Sequence, residues 1–178
     1  MNEKADETTS TSRHEFVLIR SLDAPRKLVW KAWTEPERLK HWWGPKGFIW
    51  VGCKIDLRSG GVFHYGMRSS DGHDMWGKLV YREIVPPEKL AFVVSFTDDK
   101  GNPIRHPLSS TWPLEVLSTL LLTEQEGKTT LTMRSHPINA TDEERRTFEA
   151  GFEGMQKGFT GTLDQLANYL ALQSGGNQ

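Results

Sequence analysis

The stretch that most limits how this chain can fold is its last long one, TDEERRTFEAGFEGMQKGFTGTLDQLANYLAL, residues 141 to 172. Thr141 and Glu144 form a capping box that predicts a helix start. Phe148, Phe152, Met155, Phe159, Leu163, Leu166 and Leu170 then recur every three or four residues and gather on one helical face. A helix of about 30 residues is ~45 Å long, enough to lie across an entire sheet. Gly151, Gly154, Gly158 and Gly161 fall together on the flank of that face, although each glycine in a helix interior costs on the order of 1 kcal/mol relative to alanine. Two explanations are open: close approach of backbone or bulky rings to that flank, or a bend that opens space beneath the helix.

What precedes this helix reads mainly as strand. FVLIRSL (16 to 22) is a short apolar run of strand character, and Asp23-Ala24-Pro25 then predicts a helix start. Val29, Trp30 and Trp33 are spaced for that helix; Thr34-Glu35-Pro36 restarts a second, short one carrying Leu39, His41 and Trp42, and Gly44-Pro45 ends it. Beyond, turn signals separate six strand-like segments near 48–57, 61–68, 74–84, 89–97, 114–123 and 128–135, the pattern of an antiparallel meander. The connection DDKGNPIRHPLSSTWP (98 to 113) is longer than a common hairpin loop and reads either as a lid or as an ordered surface excursion.

At 178 residues the chain fits one domain, placed here at 13–172 between disordered tails at 1–12 and 173–178. Lys plus Arg total 22 and Asp plus Glu 23, a formal charge of -1, which argues against nucleic acid and against an anionic membrane as partners. No apolar run approaches the roughly 20 residues of a membrane span, and the N-terminus lacks the apolar core of a signal peptide. The single Cys53 forms no intrachain disulfide, which favours a cytoplasmic location, and its place beside Gly52 in a strand suggests a small buried residue. His41, His64, His73, His106 and His136 make no metal-ligand spacing, so no metal or other cofactor is expected. No nucleophile-turn signature is present either.

DAPRKLVWKAWTEPERLKHWWGPKGF (23 to 48), DLRSGGVFHYGMRSSDG (56 to 72), GKLVYREIVPPEKLAF (77 to 92), GKTTLTMR (127 to 134) and MQKGFTGTLDQLANYL (155 to 170) together resemble the activator of Hsp90 ATPase homologue 1-like family, within the START/Bet v 1-like (SRPBCC) superfamily. The resemblance implies an α+β helix-grip fold: a curved antiparallel sheet of about seven strands around a long C-terminal helix, in the order β-α-α-β-β-β-β-β-β-α, with a cavity between sheet and helix. Two departures stand out. Family members commonly carry Trp where this chain has Phe159, and true Hsp90 activators have an additional N-terminal domain that engages the chaperone, so an Hsp90 interaction is not expected here.

Strand parity puts Phe63, Tyr65 and Met67 on one face, Phe92, Val94 and Phe96 on another, and Leu131 and Met133 on a third, all meeting the helical stripe. The strand near 74–84 has apolar residues on both parities and is not oriented by its sequence. In HWWGPKGFIW (41 to 50), neighbouring rings on a helix diverge by about 100°, so one of Trp42 and Trp43 is expected in the core and the other at the cavity mouth. The expected lining is therefore Trp42, Trp43, Phe63, Tyr65, Met67, Phe92, Phe96, Trp112, Phe148, Phe152, Met155 and Phe159. Aromatic and methionine side chains suit a small hydrophobic ligand of lipid-, aromatic- or polyketide-like character. Without a catalytic signature, binding is favoured over catalysis. The alternatives are a cyclase- or aromatase-like enzyme, whose candidate proton-moving residues are Tyr65, His64 and Glu83, and a stress-related, co-chaperone-like interaction module. A homodimer is left open.

Overall fold

The computed structural model describes residues 15–174. The expected tail at 1–12 lies outside that range, as does most of the one at 173–178; Gln173 and Ser174 still belong to the last helix. The elements run β1 (Phe16–Leu22), α1 (Arg26–Thr34), α2 (Pro36–Leu39), β2 (Ile49–Ile55), β3 (Val62–Arg68), β4 (Asp74–Val85), β5 (Lys89–Thr97), β6 (Val116–Gln125), β7 (Lys128–Pro137), α3 (Asp142–Ala150) and α4 (Phe152–Ser174). Seven strands form one antiparallel sheet in the order β1-β7-β6-β5-β4-β3-β2. The helix-grip architecture is thus present, with β1 and β2 as the sheet edges.

One face of the sheet holds the core, and the parity expected from sequence is the observed one. Phe63, Met67, Phe92, Leu131 and Met133 are buried on it, as are Phe16, Leu18 and Leu22 of β1. β4 resisted orientation because it changes parity along its length. Tyr81 pairs with Phe92 and Ile84 with Leu90, so both face the core, and a register shift between Tyr81 and Glu83 supplies the extra residue. Trp76, which with Val80 has the opposite parity, lies over Gly52 and Gly66, where a Cβ would sit 2.8 Å and 2.6 Å from its ring. Cys53 is exposed on edge strand β2 rather than buried, because no strand among the described residues covers that edge.

The C-terminal helix begins where the capping box placed it. Thr141 accepts a 3.1 Å hydrogen bond from the Glu144 backbone N–H. It does not run unbroken: Gly151 divides it into α3 and α4. A Cβ at Gly151 would lie 2.9 Å from the Trp112 ring and 3.3 Å from the Phe148 carbonyl oxygen, so close ring approach accounts for that glycine. The other three obey the opposite explanation. A Cβ at Gly154, Gly158 or Gly161 would meet nothing within 4 Å.

Burial along α4 follows the same division. Leu163, Leu166 and Leu170 are buried against the sheet and α1, whereas Phe152, Met155 and Phe159 are only partly covered. The C-terminal half of α4 seals the core, each buried leucine contributing about 2 kcal/mol. Its N-terminal half rests on β1 through Phe152 and Phe159 but leaves a space over β5, β6 and β7, where a site can form.

Candidate functional site: an apolar cavity under the N-terminal half of α4

That space is a cavity of about 330 Å³. Its floor is the core face of β5, β6 and β7, with Phe92, Val94, Val116, Ser118, Met133 and Ser135; its roof is Phe148 with Met155, Gly158, Phe159 and Leu163. Trp33, Trp42 and Trp43 close one end, and Phe96 with Trp112 flank another side. Pro45 and Gly158 are the exposed members of the lining and mark the mouth.

Of the twelve lining residues expected from sequence, ten line the cavity: Trp42, Trp43, Tyr65, Met67, Phe92, Phe96, Trp112, Phe148, Met155 and Phe159. Phe63 and Phe152 do not. Phe63 is fully buried among Trp43, Trp50 and Tyr65, with ring centroids 5.7, 6.1 and 5.1 Å away. Phe152 packs between Phe16 and Phe148, at 5.6 and 5.4 Å. Phe159 also lies on Phe16, at 5.9 Å, so the ring common to this position is used for packing as well as lining.

Trp42 and Trp43 sit in the turn that follows α2, which ends at Leu39, earlier than its sequence suggested; both their N–H groups bond back to the Leu39 carbonyl. Trp42 is 1% exposed and donates its indole N–H to the Ala32 carbonyl at 3.0 Å. Trp43 is partly exposed, and its carbonyl accepts the Trp50 indole N–H at 3.1 Å. Gly44 then takes φ +106°, a conformation that L side chains rarely adopt, and a Cβ there would collide with the Met67 sulfur. Gln165 Nε2 donates to the Gly44 carbonyl at 2.7 Å and Thr162 Oγ1 at 3.3 Å. The Trp43–Pro45 segment is thereby strapped to α4 across the mouth.

Residues 98–113 are tied down on the other side. Thr147 bonds Thr111 at 2.9 Å, and Arg105 Nη1 reaches Glu144 at 3.1 Å and the Trp112 carbonyl at 3.2 Å. Burial would raise Glu144, but hydrogen bonds from Arg105 and Thr141 outweigh it and hold the carboxyl below its ordinary range. His106 stands behind the lining, 4.6 Å from Phe96 and 6.2 Å from Trp112. Burial pushes its imidazole down.

Among the described residues, no Asp, Glu, Lys, Arg or His lines the cavity. Of the three catalytic candidates only Tyr65 does, and burial pushes its hydroxyl up to about 12, partly offset by the Trp43 indole, so it stays protonated at neutral pH. His64 has the opposite parity: it stacks on Trp76 at 5.0 Å and bonds Thr97 Oγ1 at 3.1 Å on the outer face. Glu83 lies beyond the β4 register shift in an ion pair with Lys89 at 2.9 Å. No group of three metal-ligating side chains occurs among the described residues.

Sequence reasoning missed Trp33, Met75, Ser118, Ser135, Gly158 and Thr162. Parity carried the signal for the serines, which alternate with Val116, Leu120, Leu131 and Met133 on the core face. With Met67, Met75, Met133 and Met155, every methionine among the described residues lines this one space.

A helix-grip protein with a neutral, aromatic and methionine-lined cavity is therefore what fold and site define. The family model for the activator of Hsp90 ATPase homolog 1-like protein matches residues 23–171, and the chain belongs to that family. Solved structures of similar fold include protein Ms6760 from Mycobacterium smegmatis (23% identity, 89% of this chain and 91% of that one, TM-score 0.72). Others are NE0264 from Nitrosomonas europaea (25%, 92% and 98%, 0.70) and a protein from Arthrobacter aurescens (25%, 89% and 87%, 0.73). No curated protein matches. No helix among the described residues is long and apolar enough to cross a membrane.

Proposed function

We propose that this protein binds one small hydrophobic molecule in the cavity beneath the N-terminal half of α4. The observation that carries the reading is the open glycine flank. Gly154 and Gly158 weaken the helix by about 1 kcal/mol each without any packing contact that offsets it, and Gly158 borders the cavity. A volume of about 330 Å³ corresponds to ~11 water volumes, room for a ligand of roughly ten to fifteen heavy atoms. Four methionines let such a lining adapt to differing shapes.

Calorimetric titration and thermal shift against short lipids, bicyclic aromatics and polyketide-like fragments test this. Binding should be saturable and lost in Gly158→Leu, whose side chain projects into the mouth. A series in which nothing of that size binds would sink the proposal. A cyclase-like activity would have to rest on Tyr65 as a proton donor, since His64 and Glu83 stand elsewhere. The protein acts in the cytoplasm and without Hsp90 as a partner.

A further inference from the structure

Two polar side chains interrupt the apolar floor at its centre. Ser118 of β6 and Ser135 of β7 are paired in register, 4% and 2% exposed, and both line the cavity. Phe92 is the next residue across the sheet on one side and Phe16 on the other. Along their own strands the flanking core-face residues are Val116, Leu120, Leu131 and Met133. The sheet therefore sets a short polar pair into a row built from rings and branched aliphatics.

The two hydroxyl oxygens are 2.7 Å apart. Each serine brings one hydrogen, and the bond between them uses only one. The second hydrogen has no acceptor among the described residues, because this pair's only side-chain bond is the mutual one. A buried O–H hydrogen without an acceptor is destabilising, whereas alanine or valine at both positions would leave nothing unsatisfied. Both hydroxyls border the cavity, so a group that fills it comes within reach of the unused donor. That donor asks for an oxygen acceptor on whatever fills that volume.

The rest of the lining fixes the ligand's charge. With no charged side chain among the described residues of the wall, a carboxylate or phosphate would enter without a counter-charge, and an ammonium would find no carboxylate. Resting on the binding reading above, we propose that the Ser118–Ser135 pair anchors a neutral, largely apolar ligand through a carbonyl-type oxygen at its buried end.

Three bicyclic probes of equal heavy-atom count separate the possibilities: isopropenylnaphthalene, acetonaphthone and naphthoate. Affinities are read by calorimetry and tryptophan emission for the wild type, Ser118→Ala, Ser135→Ala and the double variant, each checked for a cooperative melt. The wild type should bind the ketone about three- to ten-fold more tightly than the hydrocarbon, the range expected for one hydrogen bond. Naphthoate should be weaker than either. Each single variant keeps one hydroxyl hydrogen and should keep the preference for the ketone, while the double variant should lose it and bind the hydrocarbon as well as before. A wild-type ratio near one, or a ratio unchanged in the double variant while the hydrocarbon still binds, overturns the anchor and leaves the binding reading standing. If neither neutral probe binds the wild type, both fall together.

Discussion

Replacing the open glycines of α4 by alanine should make the protein more stable, in contrast to most substitutions in a packed helix. Gly154, Gly158 and Gly161 have non-left-handed backbone, and a Cβ at each would meet nothing within 4 Å. The substitution then gains helix propensity, about 0.8–1 kcal/mol per site, with no clash against it. The sites are three or four residues apart but share no contact, so the triple variant should gain about 2–3 kcal/mol. For a domain of this size that raises Tm by roughly 5–10 °C. Gly151→Ala is the internal control. Its Cβ would lie 2.9 Å from Trp112, so it should lower Tm. Differential scanning calorimetry of the four single variants and the triple decides the matter. A triple variant that melts at or below the wild type, or a Gly151→Ala that melts above it, would refute the division of α4 into a packed and an open flank.

Gly44→Ala should destabilise by about 2–4 kcal/mol, because it combines a left-handed backbone penalty with a collision against Met67; urea unfolding checks this. Gln165→Ala removes the 2.7 Å bond that straps Gly44 to α4, and stopped-flow mixing should show ligand association and dissociation both faster at nearly constant Kd. Acid should weaken the anchoring of residues 98–113 in two stages. His106 is held below its ordinary value of 6.5, so the unfolded chain takes up its proton first and stability falls as pH drops below about 6.5. Glu144 is held below 4.5, so its contribution is present above that value and is lost as pH falls through the lower folded pKa. Melting curves across pH should show both stages in the wild type and only the first in Glu144→Gln.

Period and parity make most of this molecule legible in its sequence. The core faces of β3, β5 and β7 follow from alternation, and the capping box at Thr141 fixed the start of the last helix. β4 was opaque because its extra residue near Arg82 changes parity, and Trp76 adds an apolar side chain outside to cover two glycines. The division at Gly151 was not visible, since it depends on a ring 39 positions earlier in the chain, Trp112. His64 and Glu83 drew notice as titratable groups in family-like stretches, but one alternates away from the cavity and the other lies past the register shift. Ser118 and Ser135 were overlooked for a different reason. A search for apolar lining passes over the residues that break it, although parity alone places both on the core face.

The pairing of β1 with β7 has a consequence for biosynthesis. Phe16 meets Ser135 and the first strand can be completed only by the last, a closure over more than a hundred residues. The lid of the cavity, α4, is made later still. A nascent chain that has emerged only through β6 can pack Trp42 and Trp43 on Trp33, but it leaves Phe92 and Val116 without the α4 side chains that roof them. During translation, that uncovered apolar surface is the chain's main exposure to misassociation, until β7, α3 and α4 arrive.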